Sequence, residues 1–222
     1  MLGRKLKIGT RRSNLALKQV EEILGHLRKF YPGIETEVVG IDTYGDKDKI
    51  TPISEMEGSD FFTREIDLAL LEEKIDFAVH SAKDLPDETP LGLVIAATTK
   101  SKEPYDALVS KNNLKLNDLK KGAKIGCSSQ RRKTQLKKYR ADFQLLDIRG
   151  NIQERLEKLD HDGLDAIIVA ACALVRLGLE NRITQRIPFS ILTPHALQGS
   201  LAIVARRDNK KIVDLLKVLD GR

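Results

Sequence analysis

Two rhythms of apolar residues alternate along this chain, short runs of the strand type and longer stretches at helical spacing. Leu6–Gly9 reads as a strand, after which Ser13 stands at a helix N-cap. Leu17, Val20, Ile23/Leu24, Leu27 and Phe30 then recur at helical spacing until Pro32-Gly33 stops them. Glu35–Ile41 alternates as a strand, Phe61–Glu73 is an amphipathic helix, and Asp76–Val79 and Leu93–Ala97 are buried strands. After Lys102-Glu103-Pro104 the pattern restarts. Strands are predicted at Ala107–Ser110, Lys124–Gly126, Phe143–Leu146 and Ala166–Ala170, with helices at Leu116–Leu119, Ser129–Tyr139, Ile152–Leu159 and Ala173–Leu177. Beyond Thr193-Pro194 and a Gln198-Gly199 turn, a strand at Ala202–Ala205 and a helix at Lys210–Leu219 are expected to return to the first unit. Strands alternating with helices predict two α/β units with parallel-rich sheets, and ligands of such sheets sit beyond the strand C-termini, here in a cleft between the units.

At 222 residues and 41% hydrophobic content the chain can bury a real core in two domains. No run is long enough to span a bilayer, and no signal-peptide core opens the chain. Cys127 and Cys172 stand in unrelated contexts, which suggests neither a metal site nor a disulfide. A cytoplasmic monomer without metal or membrane partner is expected. The net charge of +6 admits nucleic acid or a polyanionic small molecule as partner, but the chain has no Trp and no basic tract interleaved with aromatics.

The charge is concentrated where strands end. Gly9-Thr10-Arg11-Arg12-Ser13, Val79-His80-Ser81-Ala82-Lys83-Asp84, Gly126-Cys127-Ser128-Ser129-Gln130-Arg131-Arg132, Ile148-Arg149-Gly150-Asn151 with Arg155, and Ala170-Ala171-Cys172 with Arg176 share one grammar. Each is an apolar run ending in small, hydroxyl and basic residues at a helix start, where backbone N–H groups and a guanidinium can hold an anion. Any one arginine is as readily a solvated surface group, but arginine is the better bidentate carboxylate ligand and is favoured at these tips over lysine. The set points to a polycarboxylate. Asp84 is the one acid at such a tip beside a lysine. As an N-cap or a partner of Lys83 it would be structural, whereas among arginines it stays ionised and suits stabilisation of a cationic intermediate. His80 reads as structural. Cys127, at a strand tip near arginines, is the only cysteine placed to anchor a ligand, although a small buried filler is the more common role for it and for Cys172.

The runs Thr10–Leu17, Val79–Pro86, Gly126–Arg132 and Leu146–Asn151, continued by Asp165–Ile168, Arg176–Leu179 and Gln198-Gly199, resemble the porphobilinogen deaminase (hydroxymethylbilane synthase) family over almost the whole chain. The resemblance implies two periplasmic-binding-protein-like (type II) domains, at 1–99 with 200–222 and at 104–193. It also implies the joining of four porphobilinogen molecules, with loss of ammonia, on a dipyrromethane primer. Asp84 would be the catalytic carboxylate that stabilises the azafulvenium-like cation formed on deamination. Ser13, Lys83, Ser128, Ser129, Arg131 and Arg132, with Cys127 as a substitute anchor, would meet the cofactor, and Arg11, Arg149, Gly150, Arg155, Arg176 and Gln198 the substrate.

Three departures from the family pattern stand out. The family's third domain, whose cysteine carries the primer, does not follow Arg222, so the primer is expected to be non-covalent or absent. The family's lysine- and glycine-bearing loop is replaced by the acidic run at 54–60, and Leu197 stands where the family has glycine. A shortened synthase leads. A non-catalytic binder of pyrroles or other polycarboxylates on the same fold is the alternative.

Overall fold

The computed structural model describes residues 4–48, 51 and 60–221. Of the acidic run 54–60, only Asp60 falls within them. The chain divides into two compact units, one from the described residues of Met1–Asp48, Gly58–Lys102 and Gly199–Arg222, the other from Glu103–Gln198.

The first unit begins with β1 (Leu6–Arg11), α1 (Asn14–Phe30) and β2 (Thr36–Ile41), followed by the short α2 (Tyr44–Lys47), α3 (Arg64–Leu71), β3 (Phe77–Ser81) and β4 (Leu93–Thr98). Ser13 caps α1 by accepting the Ala16 N–H at 3.3 Å. The helix buries Val20, Ile23, Leu24 and Leu27 against Ile8, Phe77 and Val79. Leu17 and Phe30, predicted on that stripe, are exposed, and Gln19 is buried in their stead, donating to Ser81 Oγ at 2.9 Å. The helical phase at Leu17 and Phe30 rotates them off the sheet. On the opposite face α3 packs Ile66, Ala69 and Leu70 with Ile75 and Ala78.

The second unit contains β5 (Asp106–Ser110), β6 (Lys124–Gly126), α4 (Gln130–Tyr139), β7 (Gln144–Leu146), α5 (Ile152–His161), β8 (Ala166–Ala170), α6 (Ala171–Arg176) and β9 (Gln185–Ile187). Its sheet runs β7-β6-β8-β5-β9, with the first three strands parallel and β5 antiparallel to both neighbours. The helix predicted at Leu116–Leu119 is a turn. Asn112 and Asn113, both at φ 57°, and Gly122, at φ 72°, bracket it in left-handed backbone that no helix continues through, while both leucines still reach the core. β9 escapes sequence reading because three residues carry no periodicity.

The chain returns to the first unit as β10 (Leu201–Arg206) and α7 (Lys210–Leu216). β10 inserts antiparallel between β3 and β4, giving the order β2-β1-β3-β10-β4 with Leu201 opposite Ser81 and Ala202 opposite His80. Ile212 and Leu216 of α7 seal the same core that α1 covers.

Candidate active site

In the first unit the neighbouring parallel strands β1 and β3 end side by side. Arg11, the last residue of β1, donates through Nε to both oxygens of Asp46 at 3.1 Å and through Nη2 to Oδ1, with its guanidinium 4.4 Å above the Phe62 ring. Thr43 at the start of α2 donates its hydroxyl to Asp46 at 2.8 Å. Burial pushes the Asp46 carboxyl up, but the Arg11 fork and Thr43 outweigh it and hold it below the ordinary value. Arg11 is thus already half of an ion pair, and the Ser13 hydroxyl is spent on its own helix. Arg12 pairs with Asp42 at 3.1 Å in solvent.

Beyond β3 a single 3-10 turn, Ala82–Asp84, is tied down by Ala82 N–H donating to Ser200 O at 3.0 Å. It leaves Lys83 half-buried and Asp84 exposed. Beneath the turn lies His80, fully buried, its Nε2 without a hydrogen-bond partner. Burial lowers its pKa to about 4; the Asp84 charge opposes that and the Arg11 charge adds to it, so both act on one imidazole. His80 is neutral at physiological pH. On α3, Asp67 is also buried, which raises it to about 6; the nearby Thr63 hydroxyl pulls it back only in part and Asp60 adds to the rise.

In the second unit the tips of β7, β6 and β8 lie together because the three strands are parallel neighbours. The N–H of Cys127 bonds to Leu146 O at 2.8 Å, and Ser128 Oγ donates to Ile148 O and accepts from Ile148 N–H, so the β6 and β7 tips are stitched by a buried hydroxyl. Ser129 stands at the N-cap of α4, half-buried, with no side-chain capping bond. Gly150 takes φ 109°, where a side chain would be strained, and Asn151 and Glu154 close a capping box at the head of α5. Arg155 donates through Nε to Gly150 O at 2.8 Å, and Lys158 through Nζ to Arg149 O at 3.0 Å. Arg149 and Gly150 line a cavity of ≈360 Å³ with Glu154, Glu157, Lys158 and His161. Arg176, at the end of α6, is buried.

Because β5 runs antiparallel to β8, its first residue, Asp106, pairs with Ala170 and arrives at the same sheet end as these tips. Asp106 accepts from Arg131 Nη2 at 2.8 Å, Arg132 Nε at 2.9 Å and Gln198 Nε2 at 3.0 Å. Burial drives this carboxyl up, and the two guanidinium groups overcome it and hold it below the ordinary value. Arg132 and Gln198, both expected to meet a ligand, are therefore buried in a protein network. Cys127 is likewise fully buried, with Sγ 3.9 Å from Ser129 O, and burial raises its thiol. That is the reverse of the exposed, low-pKa setting a reactive anchor needs. Cys172 is buried as well.

Asp46 and Asp106 are the acids that sequence reading overlooked. Their one signal was a lone carboxylate beside an element that is otherwise apolar or capped, as in Asp106-Ala-Leu-Val. Among the described residues no His, Cys, Asp and Glu cluster is arranged to hold a metal, and no helix is long and apolar enough to cross a membrane.

Comparison with solved structures places this fold. Immunogenic lipoprotein A from Vibrio vulnificus superposes with a TM-score of 0.57 at 14% identity, covering 96% of this chain and 94% of that one. The methionine binding protein MetQ gives 0.56 at 14%, covering 96% and 88%. Two mixed five-stranded α/β units with such neighbours define a type II periplasmic-binding-protein-like fold, here carrying basic strand tips in both units and an exposed carboxylate in the first. The family described as porphobilinogen deaminase, dipyromethane cofactor binding domain, matches residues 6–214. The porphobilinogen deaminase of Natranaerobius thermophilus is 46% identical over 97% of this chain and 70% of its own length, and that of Desulforamulus reducens 42% identical over 97% and 70%. This chain belongs to the porphobilinogen deaminase family, a family of transferases, and these relatives favour the enzymatic reading over a non-catalytic binder.

Proposed function

We propose that the chain performs the family reaction with Asp84 as the catalytic carboxylate. In each cycle the aminomethyl C–N bond of porphobilinogen breaks and ammonia leaves with the bonding pair. A C–C bond forms to the free α-carbon of the growing chain, whose α-proton is then lost. The leaving step puts positive charge on the substrate pyrrole, and an exposed carboxylate on a turn tied to Ser200 opposes that charge. The observation that carries this reading is the placement of Asp84. A tied 3-10 turn holds it at the end of a central strand, next to Lys83 and at the same sheet end as Arg11.

Dipyrromethane, when bound, supplies the free pyrrole α-carbon that starts the chain. The residues present fit its acetate and propionate groups. Ser129 stands at a helix start with no capping bond of its own, and Arg131 keeps N–H donors beyond those it gives to the protein. Arg149 and Arg155 add positive charge at a neighbouring tip of the same unit. Cys127, fully buried, does not fit a thioether anchor, and what these residues offer the primer is a hold on its carboxylates. The two free, buried cysteines support a reducing, cytoplasmic setting.

The test is incubation with porphobilinogen, then acidification and oxidation to coloured porphyrin. The wild type should produce it, and Asp84→Asn, which keeps shape and loses charge, should lower turnover by about 100-fold or more while binding of pyrrole carboxylates persists. No porphyrin from the wild type would overturn the enzymatic reading. A largely active Asn variant would overturn the role of Asp84.

A further inference from the structure

Arg131 and Arg132 are adjacent in sequence, but successive residues on a helix point about 100° apart, so the pair cannot do one job from one side. Arg132 turns inward. Its side chain is 8% exposed, with Nε and Nη2 on Asp106 Oδ1 at 2.9 and 2.5 Å, Nη2 also on Gln198 Oε1 at 3.3 Å, and Nη1 toward Ile168 O at 3.5 Å. Nearly all of its donors are taken by fixed protein acceptors. Arg131 is 26% exposed and is gripped at both ends of its fork, Nη2 by Asp106 Oδ2 at 2.8 Å and Nη1 by Thr193 O. Thr193 is in turn held by Gln135, whose Oε1 accepts the Thr193 N–H at 2.8 Å.

We propose that Asp106 is a positioning residue that divides this arginine pair, consuming Arg132 as a buried buttress and fixing Arg131 as the guanidinium that meets a ligand carboxylate. The inference rests on the reading of the site as a polycarboxylate site. With its side chain wholly buried, Asp106 has no access to the ligand and acts only through Arg131. Gln198 extends the brace. Its Nε2 donates to Pro104 O at 2.7 Å as well as to Asp106, so the network also ties the start of the Glu103–Gln198 segment to its end.

The experiment compares wild type, Arg131→Gln, the pair Asp106→Asn with Arg132→Gln, and all three changes together. Changing Asp106 and Arg132 together leaves no unpaired buried charge, so the protein keeps its fold, whereas Asp106→Asn alone strands the buried Arg132 guanidinium without its carboxylate. The probe is a synthetic dipyrromethane bearing acetate and propionate groups, its affinity measured by calorimetry and the fold by thermal unfolding. Arg131→Gln and the Asp106/Arg132 pair should each weaken binding by about tenfold, and the triple variant should bind no worse than Arg131→Gln. A merely structural Asp106 would lower the unfolding temperature and leave affinity at the wild-type level, which overturns the proposal. So would a triple variant whose losses multiply. A ligand-free readout separates this outcome from failure of the site reading. Side-chain NMR of the wild type should resolve distinct Nη signals for Arg131, which merge in the Asp106/Arg132 pair. If the wild type ignores the dipyrrole yet shows this pattern, the polycarboxylate reading fails and the positioning role stands; merged signals in the wild type refute it.

Discussion

His80 and Asp67 are buried in the first unit with opposite consequences for acid stability, and the two effects can be separated. His80 has a folded value of about 4 against an ordinary 6.5, so as pH falls the unfolded chain takes up the proton first, and stability present at neutral pH is lost between those values. Asp67, at about 6 against an ordinary 3.8, behaves the other way: the folded form protonates first and stability grows as pH falls from about 6. Between about pH 7 and pH 4.5, linkage gives a loss of about 2.5 kcal/mol through His80 and a gain of about 2 kcal/mol through Asp67. Down to pH 4.5 the carboxylates held low in the folded state, such as Asp46, Asp76 and Asp106, add only a small loss, because most of theirs falls below the ordinary value of 3.8. The wild type should therefore show a nearly flat profile. His80→Leu should gain about 2 kcal/mol on acidification, and Asp67→Asn should lose about 2.5 kcal/mol. Urea unfolding followed by circular dichroism at the two pH values reads this directly, and only the change with pH matters, so any packing cost of either substitution cancels. Parallel profiles for the three proteins would refute the reasoning. They would mean that His80 and Asp67 do not titrate from buried sites.

Two shorter predictions follow from the second unit. Gly150→Ala places a methyl at φ 109° and 2.5 Å from Glu154 Oε2, which opens the Asn151–Glu154 capping box, so thermal unfolding should report a loss of about 1–3 kcal/mol, and an unchanged midpoint would contradict it. Intact mass of the freshly purified, denatured chain should equal that of the polypeptide. A mass raised by one dipyrromethane and restored by Cys127→Ser would show that the buried thiol reaches the primer after all.

Much of this molecule is local in origin and could be read without coordinates. The middle of the α1 stripe from Val20 to Leu27, the Ser13 cap, the strand at Ala166–Ala170 and the basic character of each strand tip follow from periodicity and residue chemistry within a few positions. The exposed turn holding Asp84 is of the same kind, since an apolar run followed by small and charged residues ends a strand wherever it occurs. What each arginine does at its tip is not local. Arg11 pairs with an aspartate 35 positions away, and Arg131 and Arg132 with one about 25 positions back, on a strand whose antiparallel direction alone carries Asp106 to the arginine end of the sheet. Strand direction and sheet order come from how whole elements bury their apolar faces against one another. A sequence therefore shows which cations stand at the strand ends, while the packing of distant elements decides which of them the protein keeps for itself and which it leaves to a ligand.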